Sequence, residues 1–290
     1  MPNLKEIRAR IASVASTEKI TNAMKMVSAA KLKKSESITT NFLPYRNKLR
    51  EALSNYLGSL EETISIPLAE QREVKKVALI GFSSSSGLCG VYNTNVNKLF
   101  KKTYEEYAEK LGYENIEVIL FGKKINDYAI KNGIKVTKTH ESLSDTLSFK
   151  TATELSDQMV RKFASHEVDR VVMIYNHFKS AGVQTPLADT LLPLASDTIT
   201  SEKTYDYIVE PSKDEFITEM VPKVVRTMFY SIMLDTFTAE HGARMTAMHI
   251  ASDNANTLLQ ELKIQYNKAR QNVITNELID IVGGAEALNN

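Results

Sequence analysis

Residues 243–282 read ARMTAMHIASDNANTLLQELKIQYNKARQNVITNELIDIV and contain neither glycine nor proline. In a helix interior Gly and Pro cost about 1 and 3 kcal/mol relative to Ala. A run of this length without them predicts one continuous helix, closed by Gly283-Gly284 where a C-terminus favours glycine. Within it Met248, Ser252, Ala255, Leu259, Leu262, Tyr266, Ala269 and Val273 step alternately by four and three, the spacing of a coiled-coil seam. Large and small residues mix along that stripe. It would fill a symmetric zipper poorly, and it suits an unlike helix lying close to Ser252, Ala255 and Ala269.

The start of the chain offers such a partner. Between Met1 and Leu57 there is no glycine, and the only prolines are Pro2 and Pro44. Pro2 sits in a permissive first-turn position, so Asn3 to Leu43 is expected to form a second long helix, roughly 60 Å at 1.5 Å per residue. Leu4, Ile7, Ile11 and Val14 step by three, four and three; after a polar interruption at Thr17-Glu18, Ile20, Met24 and Val27 step by four and three. The expected seam therefore joins Ile7, Ile11, Val14, Ile20 and Val27 to Ala255, Leu259, Leu262, Tyr266, Ala269 and Val273. The alternative is that both amphipathic helices pack separately on a globular core.

The middle of the chain has a different texture. Val77–Phe82, Ile116–Phe121 and Val168–Phe178 are short apolar runs rich in β-branched residues, with helical patterns at Val96–Leu111 and Lys123–Lys131 between them. Alternating strand and helix implies a mostly parallel sheet carrying helices on its faces. Val183–Leu194, with Pro186 and Pro193, is an edge strand or a loop. The expected fold is thus α/β: a long antiparallel coiled coil of the two terminal helices, with an inserted domain. Its parts are residues 1–72, 73–205 and 206–290, the first and last pairing.

Composition narrows the functions. With 36 Lys+Arg against 35 Asp+Glu, the net charge of +1 supplies no overall field to gather nucleic acid or anionic lipid. The single cysteine, Cys89, cannot form an internal disulfide, and the N-terminus lacks the character of a signal or transit peptide. No apolar run reaches the roughly 18 residues that a membrane crossing needs.

Familiar catalytic patterns fail in detail. The stretch Gly81-Phe82-Ser83-Ser84-Ser85-Ser86-Gly87-Leu88-Cys89-Gly90 sits between a strand and a helix, where phosphate-binding loops occur. Five residues separate its first two glycines and Leu88-Cys89 follows, so the P-loop lysine and hydroxyl are missing. Cys89 at a helix start could be a nucleophile, but no base lies nearby in sequence, and a small cysteine packed under a turn accounts for it. The histidines His140, His166, His177, His241 and His249 lack metal-pair spacing, so no metal is expected. No cofactor is expected either.

Charge is unevenly placed. Asn3 to Lys34 carries eight basic residues against two acidic ones. Such a helix could follow nucleic acid phosphates, lie on anionic lipid, face an acidic protein surface, or be simply solvated. The absence of aromatics between Asn3 and Asn41 weakens single-stranded nucleic acid binding. A coiled-coil scaffold or adaptor with a basic nucleic-acid-binding helix is the rival reading.

The segment IRARIASVASTEKITNAMKMVSAAKLKK at residues 7–34 resembles the N-terminal helix of the gamma subunit of F-type ATP synthases. Residues 243–288 are similar to that family's closing helix, and Gly87-Leu88-Cys89-Gly90 to its central turn. The resemblance implies a left-handed two-helix shaft with a Rossmann-like domain at its foot, rotating within a ring of three alpha and three beta subunits. It implies further partners in an epsilon subunit and a membrane c-ring, no catalytic site in the chain itself, and a peripheral place on the cytoplasmic side of a bacterial inner membrane. Carried over by position, Met24 and Lys25 would pass an acidic loop of a beta subunit, and Arg270, Gln271, Thr275 and Glu277 would meet a beta-subunit catch loop. Ser85 and Ser86 replace the acidic and basic residues usual before the turn, and with Cys89 alone the cysteine pair of the chloroplast branch is missing.

Overall fold

The computed structural model describes residues 4–58, 66–141, 147–195, 210 and 212–288. Its elements in chain order are α1 (Leu4–Gly58), β1 (Val77–Phe82), α2 (Tyr92–Leu111), β2 (Ile116–Phe121), α3 (Lys123–Lys131), β3 (Lys138–His140), α4 (Phe149–Ala164), β4 (Arg170–Ser180), β5 (Val183–Leu192) and α5 (Lys213–Leu288). Packing divides the chain into two compact units, one of Met1–Val27 with Met245–Asn290 and one of Ser28–Arg244.

In the larger unit the sheet order is β3-β2-β1-β4-β5, with β1 to β4 parallel and β5 antiparallel at the edge. Both faces are covered, which is why β1 reads as an unbroken apolar run, and β2 as one interrupted only by Glu117, which pairs with Lys162. Val77, Leu79, Val118, Leu120, Val172 and Ile174 pack with Val96, Phe100 and Ile125 of α2 and α3. On the other face Ala78, Ile80, Phe82, Phe121, Val171 and Met173 pack with Leu53 of α1, Met159 and Phe163 of α4, and Val224, Val225 and Phe229 of α5. Ser148 starts α4 by accepting the Thr151 amide at 3.1 Å.

In this unit α1 and α5 run antiparallel. Thr238 donates to Ser35 at 3.0 Å, Arg46 donates to Ser231 at 2.8 Å, and Phe42 meets Tyr230 edge-on at 5.0 Å. Tyr56 meets Phe216 at 4.7 Å, so one number rises as the other falls.

Both long helices pass signals that were expected to end them. α1 continues through Pro44 to Gly58, and α5 begins at Lys213 and runs through Pro222, Gly242 and Gly283-Gly284 to Leu288. Leu53 and Tyr56 beyond Pro44, and Ile217, Val221, Val224 and Val225 on both sides of Pro222, are buried in the sheet's core, and that burial offsets a local cost of about 3 kcal/mol at each proline. Gly242 marks close packing: a Cβ there would lie 2.9 Å from the Phe178 ring and 3.2 Å from the Ala181 Cα. The edge segment is a strand, with Pro186 tolerated opposite Asn176.

Candidate functional site

Three regions carry the residues singled out by sequence: the paired helix ends, the free end of α5, and the turn after β1.

In the smaller unit the N-terminal part of α1 lies against α5. Ile7, Thr21, Met248, Ser252, Ala255 and Leu262 are buried, and Ile11, Val14, Leu259, Tyr266 and Ala269 are half-buried. Ile20 and Val27 lie elsewhere: they are 57% and 58% exposed, and Val273 is 40% exposed. The reason is geometric. From Val14 the heptad spacing continues through Glu18, Thr21 and Lys25, not through the apolar residues beside them. Thr21 and Ser252 fill the contact with a hydroxyl pair at 2.8 Å. Thr21 donates to the Glu18 carbonyl at 3.0 Å, which leaves Ser252 as the donor between the two helices. Both buried hydroxyls are thereby satisfied, and the seam stays narrow.

Met24 and Lys25 are half-buried on α1. Arg270, Gln271, Thr275 and Glu277 are exposed, as is every described side chain from Arg270 to Ala285. This stretch bares Ile274, Leu278, Ile279, Ile281 and Val282 at 43–67% exposure, alongside those polar residues. A helix so apolar and so uncovered is an interaction surface.

The turn after β1 occupies the place where doubly wound sheets bind ligands, at the carboxyl ends of the strands where the order reverses. Here the chain fills it. Tyr92 donates to the Thr236 carbonyl of α5, and Asn176 of β4 donates to the Tyr92 carbonyl. Cys89 packs against Tyr92, Ala239 and Ala243, and Asn93 donates to its sulfur at 3.1 Å. Burial pushes the Cys89 thiol up from its ordinary pKa, the reverse of what a nucleophile needs. Leu88 sits at φ +65°, which turns the chain so that the Gly87 carbonyl meets Arg244.

Arg244 and Glu240, one turn apart on α5, form an ion pair with side chains 8% and 10% exposed. Burial raises the Glu240 pKa, and Arg244 and then Lys31 act against that rise. Next to them His241 is buried against Phe237, with ring centroids 4.4 Å apart, and burial followed by Lys31 and Arg244 lowers its pKa to about 4. Sequence reading passed over this cluster. Its only signal is an acid and a base at i and i+4 beside a glycine, a pattern shared with many solvated helices.

Residues 3–288 match the family described as ATP synthase. An ATP synthase gamma chain of Flavobacterium johnsoniae is 48% identical over 290 residues, covering 100% of both chains. One from Bacteroides thetaiotaomicron is 43% identical over 298 residues, covering 98% of this chain and 99% of its own. Among solved structures, a chain of the Euglena gracilis mitochondrial ATP synthase (OSCP/F1/c-ring, rotational state 3) matches with a TM-score of 0.65. It is 18% identical and covers 98% of this chain and 94% of that one, a likeness of fold. No helix among the described residues is long and apolar enough to cross a membrane.

Proposed function

The chain belongs to the gamma-chain family of ATP synthases, and we propose that it is the rotor shaft of a proton-translocating bacterial enzyme. Full-length identity of 48% to a bacterial gamma chain carries this reading. In this role the chain has no catalytic site of its own. Its partners are three alpha and three beta subunits, an epsilon subunit and the membrane c-ring, on the cytoplasmic side of the inner membrane. Residues 73–205 serve as the inserted foot domain, and the terminal segments serve as the shaft.

The mechanism follows from asymmetry. Two unlike helices present a different surface in each direction, so three chemically identical neighbours cannot all be touched alike. Each neighbour is held in a different conformation, and turning the shaft redistributes the three. Moving one site from mostly open to mostly closed takes a preference of about 5.5 kcal/mol between its states. A charge crossing 100 mV releases about 2.3 kcal/mol, so several protons supply one such step. Arg270, Gln271, Thr275 and Glu277 on the free end of α5, with Met24 and Lys25 on α1, make the polar contacts with beta subunits. The bare apolar residues around them are enclosed by the ring.

Reconstitution with purified alpha and beta subunits tests this. One copy per ring, with rotation of the chain during ATP hydrolysis, is the expected result. Failure to join the ring, together with salt-dependent retention on DNA, would overturn it in favour of a nucleic-acid adaptor.

A further inference from the structure

Between residues 20 and 28, α1 has two faces with which it could meet α5. Ile20, Met24 and Val27 form the apolar one; Thr21 and Ser28 lie beside it, about 100° further round the helix at 3.6 residues per turn. The second face is the one turned inward. Thr21 and Ser28 are 9% and 2% exposed, whereas Ile20 and Val27 are more than half exposed. Hydrophobic burial alone would choose the first face, so a directional contact must hold the hydroxyls in place.

That contact occurs twice in the same form. Ser252 of α5 donates to Thr21 at 2.8 Å, and Thr21 donates to the Glu18 carbonyl at 3.0 Å. Thr238 of α5 donates to Ser35 at 3.0 Å, and Ser35 donates to the Leu32 carbonyl at 2.9 Å. In each case a hydroxyl of α5 gives its hydrogen to a hydroxyl of α1, which gives its own to the carbonyl three residues back. Thr238 also lies 2.7 Å from the Leu234 carbonyl and shares its hydrogen with it. The two relays are fourteen residues apart on both helices, with Ser28 midway between them on α1. Such a relay forms in one azimuth only. Turning α1 by one residue position would carry Thr21 away and leave Ser252, 3% exposed, as a buried donor without an acceptor. A buried polar group in a helix seam selects one pairing at some cost in stability.

We infer that the relays Ser252 to Thr21 and Thr238 to Ser35 are positioning contacts: they fix which face of α1 meets α5, and so keep Ile20 and Val27 outward against their tendency to be buried. Only the use of that outward face, as the surface met by the ring of subunits, rests on the rotor reading.

The test uses the full chain carrying Cys89→Ala, so that Ser28→Cys supplies its one thiol, a buried reporter on the hydroxyl face. Ser252→Ala/Thr238→Val removes both donors from α5 at nearly unchanged volume. Labelling of the reporter by a disulfide reagent, with opening in rapid equilibrium, should then speed up about tenfold, the scale of one to two net hydrogen bonds. A helix pair that had merely loosened would expose the reporter too, and a second step separates the two cases. Adding Ile20→Thr/Val27→Thr takes away the competing apolar face, so labelling should return to within about twofold of the rate before the donors were removed. In a merely loosened pair it stays fast or becomes faster. Labelling unmoved by loss of the donors, or a rise that persists once Ile20 and Val27 are replaced, would overturn the inference. Ser252→Ala alone removes the donor nearest Ile20 and should give a rise of about fivefold, reversed in the same way, which decides the matter if the double replacement does not fold. If the reporter behaves as stated but the chain never joins alpha and beta subunits, the rotor reading falls and the positioning role stands.

Discussion

Replacing Arg244 by methionine should loosen the turn after β1 more than any surface change. The substitution keeps most of the side-chain volume and removes the charge that faces Glu240 and the donor that faces the Gly87 carbonyl. Glu240, whose side chain is 10% exposed, is then a buried carboxylate with Lys31 as its remaining cationic influence. Breaking a buried pair by removing one partner costs about 3–5 kcal/mol. Since about 1.4 kcal/mol is a factor of ten, the open form of the turn should gain roughly two to three and a half orders of magnitude.

Cys89 reports this directly, because it is the chain's one thiol and lies buried beneath the turn. Its labelling by a disulfide reagent, under conditions where opening is in rapid equilibrium, should accelerate by that factor. Arg244→Met/Glu240→Leu should return most of the loss and leave about 1 kcal/mol for the unpaired Gly87 carbonyl. The sign with pH is also fixed. A carboxyl whose folded pKa is raised contributes stability fully below its unfolded pKa and loses it as pH rises through the folded value. In the single variant the raising cause remains and the chief lowering one is gone, so the defect should be larger at pH 8 than at pH 5. Labelling accelerated less than tenfold, or a defect that shrinks as pH rises, would refute the argument.

His241 gives a second pH signature. Its pKa falls from 6.5 unfolded to about 4 folded, so stability is present above pH 6.5 and lost as pH falls towards 4, by at most about 3 kcal/mol. His241→Phe should flatten urea-unfolding free energies across that window. Gly242→Val should displace α5 from the β4–β5 turn and lower the unfolding free energy by about 2 kcal/mol or more, because its added carbons meet Phe178 and Ala181 at once. Ala255→Trp overfills the narrow seam and should block recovery of the chain in the reconstituted complex, whereas Lys25→Glu should assemble normally and lower the coupling of proton flow to ATP synthesis only mildly. Wild-type assembly of the tryptophan variant would show that Ala255 is not in the seam.

The fold was legible where burial leaves no choice of residue. β1, β2 and β4 read as strands because both faces of the sheet are covered, and Val77–Phe82 has no position at which a polar side chain could point to water. β3 was invisible: Lys138-Thr139-His140 carries no apolar residue and is a strand only because it pairs with β2. Pro44 and Gly283-Gly284 read as helix ends because local propensity is all that a sequence displays, while tertiary packing carries α1 beyond Pro44. The candidate contact residues at 270–277 emerged from family resemblance, since periodicity does not single out residues on a helix end whose described side chains are all exposed.

Ile20 and Val27 show why the shaft's seam was harder to read than the sheet. Hydrophobic periodicity assumes that the apolar side chain is the buried one, and here Thr21, Ser28 and Ser35 are buried while Ile20, Met26 and Val27 are 57–60% exposed. A leucine in place of each buried hydroxyl would gain on the order of 2 kcal/mol from burial if the helices could move apart to admit it. The chain forgoes that gain at three positions and uses the satisfied hydroxyls of Thr21 and Ser35 to hold the helices close. Two features then coincide: small hydroxyl residues at the helix contact, and large apolar side chains left exposed beside it. A helix pair selected for its own stability would reverse that arrangement. On the proposed rotor reading, a pair that turns inside a ring of subunits would keep its contact narrow and present those side chains outward to the ring.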